Sequence, residues 1–348
     1  MCNQLRTWIA YSQLGSAFGY LLSAEEARLH SCLEPDLPLP TSATEVGTMY
    51  EAFYGLKQEP FRLSPDPRFL HLAEPHRNTL RALVEGVIGR KGLQVSVGPI
   101  GTGKTTLLYC LQHILANEAR PERPVRSAFV MNPVLTHDEL FETLFDELEV
   151  NCTGCSKPAR LRALHELLLD SHKRNGAVIL IIDEAHLLTP ALFEEVRLLL
   201  NLDNYRVNVL QVILCGQPEL VPLLMKPELA ALKQRIAVLS KLRPLTLVES
   251  RAYIAERLHV AGMPESPFST AALEETYRLT KGVPRLINSL CDRALMIGFH
   301  RQARKIEADF ITEAADELSL AELDISPPEH ALEKQAASAA SMLSGTKV

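Results

Sequence analysis

Apolar positions along this chain follow two spacings, and the change between them divides it. Through the first two thirds, short apolar-rich runs alternate with stretches whose apolar residues recur every three or four positions. The runs at 93–97, 127–131, 178–182 and 207–215 read as strands. The wholly apolar VILII at 178–182 describes a strand covered on both faces, as in a parallel sheet. Helical patterns lie between them. Pro75 opens one that runs to about residue 89, and another occupies 106–116. The capping pair Thr136 and Glu139 precedes Leu140, Phe141, Leu144, Phe145 and Leu148; Leu161, Leu164 and Leu168 mark a further helix. Thr189 and Pro190 start one that carries Leu192, Phe193, Val196, Leu199 and Leu200. Beyond Pro227 the pattern changes. A helical LAALKQRI leads to one short strand around Val238, and four helical patterns follow at 247–260, 270–280, 284–299 and 307–318. The expected fold is therefore α/β, a parallel sheet flanked by helices, followed by a small all-helical domain.

The ends of the chain do not share this patterning. Residues 8–22 are mildly apolar but are broken by Ser12, Gln13, Gly15 and Ser16, too short and polar to cross a bilayer, and only Arg6 precedes them as a signal-peptide charge. The Pro-, Ser- and Thr-bearing stretch at 34–46 reads as a linker, and Met49, where dense patterning begins, is an alternative start. Tyr50, Phe53, Tyr54 and Phe61 then punctuate an arm that Pro65 and Pro67 keep extended. This arm either lies near the base of a bound nucleotide or simply covers core. The expected division is 1–48, a poorly ordered extension and linker; 49–243, arm and nucleotide-binding core; 244–320, helical domain; and 321–348, a disordered Pro-, Ala- and Ser-rich tail.

Composition narrows the class. A chain of 348 residues, 47% hydrophobic, can bury a substantial core, and a formal charge of −6 supplies no overall attraction for nucleic acid. The 7 cysteines are scattered and odd in number, as in a reducing cytoplasm. Cys152 and Cys155 form a CxxC, but zinc needs four ligands, and the nearby His165 and His172 stand about two turns apart on one helix, so chance spacing is the better account.

Two strand ends carry chemistry. The first strand runs into GPIGTGKT, which fits GxxxxGK[ST] and opens a helix. Glycines let successive N–H groups turn inward onto a polyphosphate, and a helix N-terminus adds partial positive charge. Gly98, Pro99, Ile100, Gly101, Thr102, Gly103, Lys104, Thr105 and Thr106 form the candidate phosphate site, with Lys104 reaching the terminal phosphates and the Thr105 hydroxyl ligating Mg²⁺. The second end is the Asp-Glu-Ala-His after 178–182. Asp183 is placed to hold Mg²⁺, and Glu184 to polarise an attacking water. The DEAH spelling also belongs to a helicase motif, but only one more strand and then helices follow. Gln217, at the end of the next strand, either senses the terminal phosphate or caps a helix. Arg285, in Gly-Val-Pro-Arg, projects towards the nucleotide if the helical domain folds back over the cleft.

The loop, IIDEAH, CGQPEL, LKQRI and GVPRLIN, in this order, resemble an AAA+ ATPase. The opening MYEAFYGL and PFRLSPDPRFL, with GQPEL and GVPRLINSLCDRAL, resemble the general secretion pathway protein A family, which is close to bacterial transposition helper ATPases; the likeness spans about residues 49–318. It implies a P-loop NTPase core and helical AAA+ lid that bind ATP and Mg²⁺ between them and hydrolyse the ATP. It also implies a homo-oligomer in which a neighbouring subunit completes each site. Arg235 matches an arginine finger, its alternative being a surface arginine. Arg285 matches the lid-borne sensor, and Gln217 the first sensor position, where many AAA+ proteins carry Asn or Thr. Family members commonly continue into a transmembrane helix and a peptidoglycan-binding domain, and neither is read in this sequence. The implied protein is a cytoplasmic ATPase, peripheral at the inner membrane through a protein partner of a secretion or envelope assembly. DNA, as in the transposition helpers, is the alternative partner.

Overall fold

The computed structural model describes residues 49–63, 73–119, 122–152, 156–202 and 208–320. Two helices lead in, α1 (Met49–Tyr54) and α2 (Glu74–Ile88). The sheet then alternates with helices: β1 (Leu93–Val97), α3 (Lys104–Glu118), β2 (Val125–Val130), α4 (His137–Glu147), α5 (Lys157–Lys173), β3 (Ala177–Ile182), α6 (Pro190–Asn201), β4 (Leu210–Gly216), the short α7 (Leu220–Leu224) and α8 (Ala230–Lys233), and β5 (Ile236–Lys241). Four helices close the chain: α9 (Leu247–Val260), α10 (Thr270–Thr280), α11 (Pro284–His300) and α12 (Ala308–Glu317).

All five strands are parallel, in the order β2-β3-β4-β1-β5. Side chains alternate between the two faces, as the period of two requires. From β3, Val178, Leu180 and Ile182 join the core beneath α4, α5 and α6, whereas Ile179 and Ile181 join the core beneath α2 and α3. Strand β4 divides likewise, with Val212 and Leu214 on one side and Ile213 and Cys215 on the other. The sheet is thus covered on both faces, and its carboxyl edge is the open place where β1, β4 and β3 end side by side.

The closing helices build a separate apolar cluster around Ile254, Ile287, Leu290, Leu295 and Ile311, and α1 belongs to it: Tyr50, Tyr54, Leu56 and Phe61 are buried there. Tyr50 Oη donates to Asp292 Oδ1 at 2.6 Å; burial raises the Asp292 carboxyl above its usual range, and this bond opposes the rise. Arg257 reaches across from α9. Its guanidinium donates to the carbonyls of Pro60 and Arg62 and to Tyr253 Oη, whose hydroxyl hydrogen goes to Asn288 Oδ1 at 2.9 Å. The arm is therefore shared, α1 on the closing helices and α2 on the sheet.

Element ends differ from the sequence expectation where pattern gives little purchase. Helix α3 begins at Lys104, two residues early, because the left-handed Gly103 (φ 91°) forms its N-cap. The LAALKQRI helix contracts to α8, and its last residue starts β5, an edge strand with a partly exposed face that dilutes the apolar signal. The expected strand at 127–131 runs instead from Val125 to Val130 and leaves Met131 exposed. Residues 1–48, Pro65, Pro67, Cys155, 203–207 and the tail from 321 lie outside the described residues. Among the described residues, no helix is long and apolar enough to cross a membrane.

One glycine ties the closing helices to the sheet edge. Gly282 (φ 75°) accepts from Leu245 N–H at 2.9 Å, and a Cβ added there would overlap the Leu245 carbonyl oxygen. Gly282→Ala is expected to destabilise the protein by about 2 kcal/mol, the left-handed penalty plus forced movement of packed backbone. That corresponds to a fall in Tm of roughly 4–8 °C. Thermal unfolding followed by circular dichroism checks it; an unchanged Tm would mean that the turn relaxes freely.

Candidate functional site

The loop from Gly98 to Gly103 leaves the end of β1 and delivers the chain into α3. Its geometry follows from where its carbonyls go. Lys104 Nζ donates to Gly98 O at 2.9 Å and Pro99 O at 3.1 Å, and Thr102 Oγ1 donates to Pro99 O at 2.8 Å. Gly101 O accepts from Arg285 N–H at 3.1 Å, and Thr102 O lies 2.8 Å from His76 Nε2. Gly98 N–H goes to Gly216 O at 3.1 Å, and the outward-turned carbonyls beyond it leave the later amides to face the opposite way. The first helical bond of α3 is Leu107 N–H to Gly103 O, so the N–H groups of Lys104, Thr105 and Thr106 have no carbonyl within the helix to bond, and no side chain caps them. Ile100 projects to solvent at the rim, and Thr106 is half-buried in the first turn of α3.

Parallel pairing brings the second strand end to this loop. β4 sits between β1 and β3, with Val97 opposite Gly216 and Ile182 opposite Leu214. Asp183, 3% exposed, continues the ladder by donating its N–H to Val130 O at 2.9 Å. Its Oδ2 accepts the Thr105 hydroxyl at 2.5 Å, joining the helix start to the strand end. These are two hard oxygen donors from separate elements meeting beside a polyphosphate-shaped loop, a donor set that fits Mg²⁺, which takes few protein oxygens and completes its shell with water and phosphate.

Glu184 follows in the left-handed region (φ 48°, ψ 34°), a conformation uncommon outside glycine, and its N–H donates to Asp183 Oδ1 at 2.9 Å. This turns the carboxylate off the strand, leaving it half-exposed. Its Oε2 lies 3.4 Å from His186 Nδ1, and the backbone N–H of Gln217 approaches the same nitrogen at 3.5 Å. Gln217 thus stands at the end of β4, next to the strand that carries Asp183. Cys215, buried between them, is inert: burial pushes its thiol up, and the Asp183 and Glu184 carboxylates add to that against the opposing pull of Lys104.

The two arginines are placed differently. Arg285 opens α11 directly over the loop, its Cβ 2.9 Å and its Cδ 3.6 Å from where a Gly101 side chain would begin, and it is exposed. Arg235 lies at the surface between α8 and β5, where its guanidinium donates to Leu200 O and Asn201 Oδ1 at the end of α6. The first is gathered to the loop of its own chain; the second is exposed, its guanidinium docked on the end of α6. Sequence reasoning assigned no role to His76 or His186, each a single histidine whose position is set only by folding.

The AAA domain family matches residues 63–224. The chain is 38% identical over 275 residues to general secretion pathway protein A of Aeromonas hydrophila, an alignment that takes in 78% of this chain and 49% of that protein, so the chain spans about half the length of this curated relative. Of solved structures, Cdc6p from Pyrobaculum aerophilum superposes with a TM-score of 0.57 at 16% identity, covering 77% of this chain and 70% of that one. The ORC2 protein of Aeropyrum pernix, solved as ADPNP–ADP complexes, gives 0.56 at 16%, covering 75% and 70%. At these identities the structural likeness is one of fold.

Proposed function

We propose that this chain is an AAA+ ATPase akin to general secretion pathway protein A, which binds ATP with Mg²⁺ and hydrolyses it to ADP and phosphate, using the cycle to rearrange a protein assembly. The observation that supports the reading is the Thr105–Asp183 bond at 2.5 Å, which joins the phosphate loop to the acidic strand end. The loop amides and Lys104 grip the phosphates. Mg²⁺, when bound, supplies charge neutralisation to the phosphate oxygens. Glu184 accepts a proton from the attacking water, and Gln217 orients that water or the terminal phosphate. Arg285 closes the site from the helical lid, for which we take residues 244–320, with 49–243 as arm and core.

Arg235 points this reading towards assembly. It is exposed at a family finger position, so we assign it to the cleft of a neighbouring copy, where its guanidinium, released from the end of α6, stabilises charge in phosphoryl transfer. The likeness to a secretion-pathway protein supports a protein of a secretion or envelope apparatus as partner, and a cytoplasmic location beside the inner membrane. ORC2 in its ADPNP–ADP complexes supports nucleotide as the ligand of this fold.

The test is phosphate release by the full chain across protein concentrations, with and without Mg²⁺, and with and without duplex DNA at two salt levels. Turnover per subunit is expected to need Mg²⁺, to rise with protein concentration and to ignore DNA. Salt-sensitive stimulation by DNA would transfer the assignment to a transposition-type regulator. Absence of ATP binding under all conditions would end the ATPase reading.

A further inference from the structure

We propose that His76 is the positioning residue through which the N-terminal arm holds the phosphate loop in its anion-binding shape; the inference rests on the nucleotide reading above and extends it to a residue outside the loop and strand-end motifs. His76 lies in the first turn of α2, 4% exposed, with Nε2 2.8 Å from Thr102 O. A carbonyl oxygen only accepts, so the hydrogen of this contact sits on Nε2 and the imidazole donates. The ring also lies against the next residue: a Cβ on Gly103 would stand 3.3 Å from Nε2 and 3.8 Å from Cδ2.

The physical need is one of peptide orientation. A loop that turns its amides onto an anion turns its carbonyls the other way, and each buried carbonyl then requires a donor. Four loop carbonyls have donors here. Those serving Gly98 and Pro99 include Lys104 Nζ, which phosphate will draw away. The Arg285 N–H on Gly101 and the His76 imidazole on Thr102 come from outside the loop, and an anion on its inner side does not compete for them. His76 therefore pins the peptide plane just before Gly103 and Lys104, where the backbone passes from left-handed loop to helix. It acts through the Thr102 carbonyl, so its loss acts on nucleotide affinity and leaves the chemical step largely alone.

The experiment uses the full chain with His76→Ala, His76→Gln and, as control, Leu83→Ala, a fully buried α2 side chain of the core beneath the sheet. Two readouts are taken: hydrogen exchange of the loop peptide 98–106 without nucleotide, and Mg-ATP binding with steady-state turnover. His76→Ala is expected to speed loop exchange. It should also weaken Mg-ATP about 5- to 30-fold, the scale of one lost bond to a buried carbonyl, and raise KM by a similar factor with kcat within about threefold. His76→Gln, whose side-chain amide nitrogen reaches about as far as Nε2, is expected to recover most of both. Leu83→Ala should lower Tm without a selective effect on the loop. The inference is overturned if His76→Ala leaves loop exchange unchanged, if Gln at 76 folds normally yet rescues neither readout, or if Leu83→Ala gives the same pattern. Absence of ATP binding by the wild-type protein would instead defeat the nucleotide reading, and loop exchange would still decide the role of His76.

Discussion

Glu184→Gln is expected to lower steady-state ATP turnover at least about 100-fold, the low end of what a positioned proton acceptor contributes, while Mg-ATP affinity stays within a few-fold of wild type. The substitution keeps shape and length and removes only the ability to take a proton. Its site is built for such a test. Glu184 occupies a left-handed backbone position that sends its N–H back to Asp183 Oδ1. That bond belongs to the main chain and survives the change, so Asp183 keeps its orientation towards Thr105. Lys104 and the loop are likewise untouched. Single-turnover phosphate release together with equilibrium binding of a fluorescent ATP analogue separates chemistry from binding. Unchanged turnover would remove Glu184 from the reaction and leave it a strand-end carboxylate beside His186 Nδ1.

How far the sequence alone leads is visible at particular residues. The phosphate loop and the Asp183–Glu184 end are contiguous strings whose local chemistry is legible in the sequence, and β3, which carries the second, is a wholly apolar buried run. The nearness of Gln217 to Asp183 was conditional on two strands being neighbours; the β3–β4 register supplies that condition. β5 was legible only as a trace around Val238, because an edge strand with an exposed face carries half the apolar pattern. The arm could not be apportioned from pattern, since α1 and α2 each bury apolar side chains without marking their partner, and only packing shows that one serves the closing helices and the other the sheet. His76 was illegible for a related reason. A lone histidine in a helical pattern carries no signal until a carbonyl from a loop 26 residues away meets it.

Lys104→Met is expected to abolish the thermal stabilisation that Mg-ATP gives the wild-type protein while changing the nucleotide-free Tm by no more than a few degrees. The two halves follow from what the ammonium does in each state. Without nucleotide, Lys104 is 6% exposed, and among the described residues its ammonium hydrogen-bonds to the neutral carbonyls of Gly98 and Pro99. A buried ammonium held this way costs desolvation free energy, and methionine of similar length relieves that cost. Against this, Gly98 O loses its Lys104 donor, a penalty of about 1–3 kcal/mol, whereas Pro99 O retains the Thr102 hydroxyl. The terms oppose, so the net change is small. In the bound state no such offset exists, because methionine presents no charge to the phosphates. Wild-type protein at a hundred times its Kd for Mg-ATP gains about 2.7 kcal/mol, a rise in Tm of roughly 5–10 °C. Thermal melts of both proteins over a range of Mg-ATP concentrations measure it. A variant that keeps the full ligand-dependent rise would show that phosphate is held elsewhere. A variant that is strongly destabilised without nucleotide would show that the ammonium is a structural strut of the loop, with its carbonyl bonds outweighing the cost of its burial.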